Sequence, residues 1–206
     1  MPTRNPHLES GTIRTYQRIV QATAKVAVQH GLREMTVAHI LEAAGVSRRT
    51  YYQYFRSKED AQKALYEQLC DDLVESVRRG IEGVDDPTKR LFAGLDAYLD
   101  FQQYGGSLVL ILQAEAANPA SNLSPTRERT LDQVVGLIDQ GVQEAMGEAL
   151  DPMIYRLLFL GTEGLVIHLR EGGDFTQDLR DRTSTIIKHL FVATLAEVRS
   201  MPHVPE

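Results

Sequence analysis

Four side chains near position 50 have the chemistry that proteins use to bind nucleic acid. They are Arg48, Arg49, Tyr52 and Gln53. Guanidinium, phenol and amide groups donate hydrogen bonds to phosphate oxygens and to purine edges in the major groove of DNA. At 100° per residue all four lie on one side of a helix, whereas Tyr51 lies toward the other side.

The two arginines are placed against the electrostatic preference of a helix. Arg48 and Arg49 occupy the first turn, where the helix dipole favours Asp or Glu, and the third position is the uncharged Thr50. This placement costs up to about 1 kcal/mol for each arginine, and a bound external anion would reverse the sign. The alternative interpretation is an ordinary solvated helix face.

The preceding residues predict another short helix and a tight turn. Thr36 is an N-cap residue, and the apolar side chains that follow recur at i, i+3, i+4 and i+7. They are Val37, Ile40, Leu41 and Ala44. Gly45 can adopt the left-handed conformation that ends a helix, and Ser47 can cap the next one. This pattern is typical of a helix-turn-helix.

Charge is distributed unevenly along the 206 residues, whose net charge is −6. Residues 1–60 contain nine Lys or Arg and five Asp or Glu, whereas the other 146 residues contain 13 and 23. The segment with the helix-turn-helix is therefore basic, and the acidic remainder disfavours contact with DNA.

Other classes of protein have little support. No apolar run approaches the roughly 18 residues of a membrane span, and no signal peptide is present, so we expect a cytoplasmic protein without a membrane partner. Cys70 is the only cysteine, which excludes an internal disulfide and a cysteine-rich zinc cluster. Motifs of hydrolases, phosphate loops and metalloproteases are missing. We expect no catalysis, no cofactor and no metal.

Residues from about Arg14 to Leu65 resemble the DNA-binding region of the TetR/AcrR family of bacterial transcriptional regulators. The matching motifs are Ile19 with Ala22, Gly31, Thr36-Val37, Ile40, Ala44-Gly45-Val46-Ser47, Thr50, Tyr52, Phe55 and Ser57-Lys58-Glu59. Ala27 stands where the family commonly has an aromatic residue, Leu41 where it has Ala, and Tyr51 where it has Leu. One smaller and two larger side chains can conserve core volume, so we predict that these three meet.

The resemblance implies a set of DNA contacts that includes the four side chains described first. The set is Thr36, Arg48, Arg49, Thr50, Tyr52, Gln53, Tyr54 and Lys58. Lys58 resembles a phosphate contact of the family, with a solvated surface lysine as the alternative. Met1–Gly11 is predicted to be a mobile arm that contains Arg4.

The whole chain is predicted to be all-α, with about nine helices, because strand alternation occurs nowhere. Three dipeptides each place an N-cap residue before a proline and so mark helix starts. They are Asp86-Pro87, Ser124-Pro125 and Asp151-Pro152. We predict a three-helix DNA-binding domain in residues 1–60 and a ligand-binding and dimerisation domain in residues 61–206.

Polar side chains within apolar helical stretches suggest a cavity in the second domain. With their aromatic neighbours they are Tyr98, Phe101, Gln102, Gln113, Glu115, Phe159 and Glu163. Buried polar groups need partners, and a small, partly apolar ligand can be one; the alternative is that the core itself satisfies them. Members of the family that this chain resembles release DNA when a ligand fills such a cavity.

The last two helices are predicted to form a homodimer. The final helix is strongly amphipathic, and the resemblance implies that the last two helices of each subunit pair with their copies. Candidate interface residues are Gly161, Leu165, Thr183, Ile187, Leu190, Phe191 and Thr194. A dimer has the two-fold symmetry that reads palindromic half-sites in DNA.

These observations predict a homodimeric, ligand-responsive transcriptional regulator that acts as a repressor on a palindromic operator. One alternative is an α-helical ligand-binding protein or enzyme of the same fold that does not read DNA. A second alternative is a helix-turn-helix that serves as a protein interaction module. Arg48, Arg49 and Lys58 argue against both, because neither alternative has a use for an uncompensated positive helix start.

Overall fold

The computed structural model describes residues 6–147 and 151–200. Within these ranges every regular element is an α-helix and no strand occurs, which confirms the predicted all-α class. The helices are α1 (Pro6–Glu34), α2 (Val37–Ala44), α3 (Arg48–Tyr52), α4 (Lys58–Ile81), α5 (Pro87–Tyr104), α6 (Gly106–Ala116), α7 (Ser124–Met146), α8 (Pro152–Glu171) and α9 (Gln177–Ser200). None of these helices is long and apolar enough to cross a membrane.

The prolines at positions 87, 125 and 152 lie at helix starts as predicted. The side chains of Asp86 and Asp151 each accept a hydrogen bond at 2.8 Å from a backbone N–H of the following first turn. In both helices the next residue is the proline, whose missing N–H has no cost at this position. The third start differs slightly, because α7 begins at Ser124 itself rather than after it.

The first helix begins earlier than predicted. Residues 6–11, which were assigned to a mobile arm, form the first turns of α1, and Pro6 suits the first helical position. Residues 1–5, including Arg4, lie outside the described part of the chain. Gly31 interrupts the helix with a φ of 72°, so the main helical run ends at the predicted glycine.

The first compact unit contains the chain up to residue 72 together with residues 107–129. Its core includes Leu112, Ala116 and Leu123, which are at most 1% exposed. The unit therefore extends beyond the predicted boundary at residue 60 and includes most of α6. The sequence pattern could not assign α6 to a unit, because a helix that is apolar on all sides has no preferred packing direction.

Three unusual core residues lie in one cluster of this first unit. Ala27 and Tyr51 are both 0% exposed, and Leu41 packs against the same cluster. A shared cluster is what the prediction requires, because a smaller side chain can make room for two larger ones only where they pack together. Separate clusters would have contradicted the prediction.

The second compact unit contains residues 73–106 and the chain from residue 130 onward. Its helices α4 and α5 approach so closely at Gly80 that an added Cβ would lie 2.6 Å from the Cβ of Ala97. Ion pairs join α5 to α9: Arg180 Nε donates to Asp100 at 2.7 Å, and Lys188 Nζ donates to Asp96 at 2.6 Å.

Candidate functional site

The turn between α2 and α3 has the predicted helix-turn-helix geometry. The Thr36 hydroxyl accepts a hydrogen bond from the His39 N–H at 3.3 Å and caps α2. Gly45 ends that helix with a φ of 60°, the left-handed conformation that glycine adopts without steric cost. The Ser47 hydroxyl then accepts from the Thr50 N–H at 3.1 Å and begins α3.

The short helix α3 separates its side chains into an outer and an inner set. Arg48, Arg49 and Gln53 are exposed, and Tyr52 is 48% exposed. On the other side, Tyr51 is fully buried. The helical-wheel division made from the sequence is therefore confirmed, and four groups that can bind phosphate or base edges project from one surface.

Two further candidates on this segment are less available than predicted. The Thr50 hydroxyl lies 2.8 Å from the Ser47 hydroxyl and takes part in the cap of α3. Tyr54 is half-buried, with its ring centroid 6.3 Å from that of Tyr16. Both side chains contribute to the packing that holds α3 in place, and that either contacts DNA remains a prediction.

A cavity of about 130 Å³ lies within the second unit. Its walls are mostly Val, Leu, Ile and Phe side chains of α4, α5, α7, α8 and α9. The charged lining residues are Arg90 and Glu144, which form an ion pair with each other. The cavity therefore has an apolar interior with its charges at a single place.

Comparison with known proteins identifies the helix-turn-helix. The family described as bacterial regulatory proteins of the tetR family matches residues 19–65, the segment whose geometry is described above. The chain is 28% identical over 165 residues to the transcriptional repressor KstR2 of Mycobacterium tuberculosis, covering 77% of this chain and 82% of that protein. The helix-turn-helix segment of this chain is therefore that of the TetR family.

Two further comparisons concern fatty-acid regulators. The fatty acid metabolism regulator protein of Bacillus subtilis is 23% identical over 152 residues, which is 71% of this chain and 78% of that protein. The crystal structure of the transcriptional regulator FadR from Bacillus subtilis in complex with stearoyl-CoA superimposes with a TM-score of 0.72. At 21% identity over 84% of this chain and 96% of FadR, this likeness shows the fold.

With this segment the protein is a DNA-binding transcription regulator, and the structure gives Lys58 an unexpected place in it. The Lys58 ammonium donates to the carbonyl oxygens of Arg33 at 2.6 Å, Met35 at 3.0 Å and Leu32 at 3.4 Å. These bonds use all three donors of the ammonium. This side chain, for which a phosphate contact was predicted, holds the turn between α1 and α2 to the start of α4.

Replacing Lys58 with Met is expected to lower the free energy of unfolding by about 1 to 3 kcal/mol, because three carbonyl oxygens lose a charged donor. The salt dependence of DNA binding should keep its slope, since loss of a phosphate contact would reduce that slope by about 0.9 per site. Urea denaturation and DNA titration at several salt concentrations measure the two quantities. Lys63→Met is the matched control, because Lys63 is exposed on the same helix.

Tyr51 joins the regulator's α3 to the start of α4. Its hydroxyl donates to the Ser57 carbonyl oxygen at 2.9 Å. Burial raises the pKa of the Tyr51 phenol, and Tyr52 and Asp60 raise it further, so the hydroxyl remains protonated at neutral pH. A large side chain where the family commonly has a smaller one thus adds a hydrogen bond that positions the outer face of α3.

Removal of the Tyr51 hydroxyl is expected to cost about 1 to 3 kcal/mol of unfolding free energy, because it leaves the Ser57 carbonyl oxygen without its donor. The Tyr51→Phe variant should show this loss in urea denaturation. In the Tyr52→Phe control, the exposed ring should change stability by less than about 0.5 kcal/mol. Equal losses in the two variants would contradict this role for Tyr51.

The predicted ligand contacts are divided by the structure. Tyr98 and Phe159 line the cavity, with their ring centroids 5.4 Å apart. Gln102 is 1% exposed and lies behind the wall, where its amide donates to the Tyr98 hydroxyl at 2.9 Å. The remaining candidates are not among the lining residues; Phe101 and Glu163 lie elsewhere in the second unit, and Gln113 and Glu115 lie on α6 in the first unit.

Arg90 and Glu144 are cavity residues that sequence reasoning missed. They are 54 positions apart, so nothing in the local sequence signals their ion pair.

In the described part of the chain, no group of three or more His, Cys, Asp or Glu side chains could hold a metal ion.

The predicted dimer contacts also fall into two sets. Gly161, Leu165 and Leu190 are exposed on the protomer. Thr183 and Ile187 are only 2% and 5% exposed, because they face the protomer's own core. The half-buried Phe191 lines the cavity, and Thr194 is half-buried.

Proposed function

We propose that this regulator is a repressor that binds a palindromic operator as a homodimer and releases it when a small, partly apolar molecule binds. The outer face of α3 carries this proposal, because four donor side chains project there above the buried Tyr51. The relative KstR2, named a transcriptional repressor, supports the direction of regulation.

The charges on α3 favour DNA over the two alternative functions. Within the described part of the chain, neither Arg48 nor Arg49 forms an ion pair, and the first turn of α3 contains no acidic residue. A protein interaction module would present apolar side chains here. A ligand-binding protein or enzyme that ignores DNA would have no partner for these two cations.

The exposed faces of α8 and α9 support the dimer. On α8, Met153 and Leu157 are 74% and 72% exposed, and Gly161 and Gly164 continue the same stripe at helical spacing. Among the described residues outside the backbone of α8 itself, nothing lies within 4 Å of a Cβ added at either glycine, so their small size serves no contact within that part of the protomer. A second copy of the chain packed against this stripe would give the small size of the two glycines a use.

The stripe on α9 is the counterpart of the stripe on α8. Ile186 and Leu190 are 51% and 57% exposed, and Ala193 continues the row. Two such helices per protomer supply the four helices of a symmetric interface, in which each residue occurs twice. Two-fold symmetry would present two α3 helices to half-sites about 34 Å apart, one turn of DNA.

The cavity supports a small effector with an apolar body. Its volume of about 130 Å³ is similar to that of an engineered apolar cavity of about 150 Å³ that binds benzene. FadR binds stearoyl-CoA according to the description of its crystal structure. An eighteen-carbon chain is too large for the present cavity, so we propose a shorter effector that favours a conformer with lower DNA affinity.

The proposal is tested by titrating the full-length protein against DNA from upstream of its own gene. We expect two protomers on each palindromic site and an affinity that falls steeply with salt concentration. Small apolar compounds that raise the melting temperature should weaken the complex. Affinity that is independent of salt would overturn DNA binding, and unchanged affinity with a stabilising ligand would overturn the regulatory role of the cavity.

A further inference from the structure

The cavity contains both an apolar interior and a charged position. Its two charged lining residues, Arg90 and Glu144, form an ion pair that joins α5 to α7. Their side chains are 28% and 37% exposed, so water and solutes can reach the pair. Gln140, which also lines the cavity, donates to the other oxygen of Glu144 at 3.1 Å.

The two partners of this ion pair are held with unequal strength. Arg90 Nε donates to the Val84 carbonyl oxygen at 2.8 Å, so backbone fixes the guanidinium independently of Glu144. Among the residues that the structure describes, Glu144 is bonded to Arg90 and to the flexible amide of Gln140. If the pair opens, Arg90 therefore stays in place with Nη1 available and Nη2 still donating to the Asp85 carbonyl oxygen at 3.5 Å, whereas the glutamate is free to turn toward solvent.

We propose that the effector is a small apolar anion, with its body in the cavity and its carboxylate on Arg90 in place of Glu144. This inference rests on the proposed ligand-binding function of the cavity. A guanidinium forms strong charge-assisted hydrogen bonds with carboxylates, so the carboxylate of the effector can take the place of Glu144 on Arg90 Nη1. A cationic ligand would have to displace Arg90, which the backbone holds.

The exchange of carboxylates has a structural consequence. It removes the side-chain link between α5 and α7 and transfers Arg90 to the ligand. Binding and loss of this link therefore occur together, which gives a ligand-bound conformer different contacts from the free one.

Three probes with the same ring and different charges test the inference. Benzoate, benzyl alcohol and benzylamine are titrated against the full-length protein by calorimetry at fixed ionic strength. We expect benzoate to bind at least about tenfold more tightly than benzyl alcohol, since hydrogen bonds to charged groups are the stronger class. Benzylamine should bind most weakly.

Variants of the ion pair assign the charge preference to Arg90. In Arg90→Gln the advantage of benzoate over benzyl alcohol should disappear, while retained binding of benzyl alcohol shows that the cavity is intact. In Glu144→Gln the affinity for benzoate should rise, because the competing carboxylate is gone. The control pair is Glu75→Gln and Arg79→Gln, an exposed ion pair of α4 that does not line the cavity and should leave all three affinities unchanged.

The outcomes separate this inference from the proposed function. If benzyl alcohol binds as well as benzoate, or if benzylamine binds best and loses its affinity in Glu144→Gln, the anionic effector is wrong and the cavity remains a ligand site. If none of the three probes binds, the anionic effector and the proposed ligand-binding role of the cavity both fail. Tighter binding of benzoate that persists in Arg90→Gln would also overturn the inference.

Discussion

Replacing Arg48 and Arg49 together with alanine is expected to weaken operator binding by at least about 100-fold. Each arginine contact to DNA is worth about 1 to 3 kcal/mol, and the proposed dimer loses four of them. Where the lost contacts are to phosphates, the slope of log affinity against log salt concentration should become shallower by about 0.9 for each. DNA titration at several salt concentrations measures both effects.

The same double variant should fold normally. Both side chains are exposed on α3, and the fully buried Tyr51 beneath them is unchanged. Two cations in the first turn of a helix also oppose its dipole, so their removal should leave stability the same or slightly higher. A loss of DNA binding with unchanged urea denaturation would separate a contact role from a folding role.

Arg78→Ala/Arg79→Ala is the matched control for net charge. These arginines are also adjacent and exposed, but they lie in the last turn of α4, far along the chain from the helix-turn-helix. If the control weakens DNA binding as much as the α3 variant does, the effect comes from overall charge. DNA reading by α3 would then be contradicted.

The helix-turn-helix could be predicted closely from the sequence because its signals are local. Thr36 and Ser47 accept hydrogen bonds from residues three positions ahead, and Gly45 adopts the left-handed conformation that the lack of a Cβ permits. The 3.6-residue period then determines which side of each helix is buried. None of these features depends on a distant part of the chain.

The role of Lys58 and the charged lining of the cavity could not be predicted in this way. Lys58 binds carbonyl oxygens 23 to 26 positions earlier, and Arg90 binds Glu144 across 54 positions. A surface lysine and a lysine that caps a distant turn have the same local sequence. Only the packing of the helices brings such partners together.

The final helix shows the same limit in another form. Its apolar residues form two adjacent rows, of which Thr183 and Ile187 are buried in the protomer, whereas Ile186 and Leu190 are exposed. Amphipathic periodicity detects both rows but does not distinguish a core from an interface. The predicted dimer contacts therefore came from both rows. In the structure, the outer row is the one that is exposed and can contact a partner.

The double variant Leu157→Asp/Leu190→Asp is expected to be monomeric at micromolar concentration. These side chains are 72% and 57% exposed on the protomer, so the substitutions should leave its fold intact. In a symmetric dimer each substitution occurs twice, and every leucine lost from the interface removes about 1.5 to 3 kcal/mol of apolar burial. The four carboxylates would also be buried without partners, which adds to the loss. Sedimentation velocity measures the oligomeric state directly.

Loss of the dimer should carry over to DNA binding. Two linked reading helices gain about 100-fold to 10,000-fold in affinity over one, so the monomeric variant should bind a full operator about as weakly as a half-site. Tyr104→Asp is the control, since Tyr104 is 84% exposed at the end of α5 and lies on neither α8 nor α9. A double variant that stays dimeric, or a control that dissociates equally, would place the interface elsewhere on the protomer.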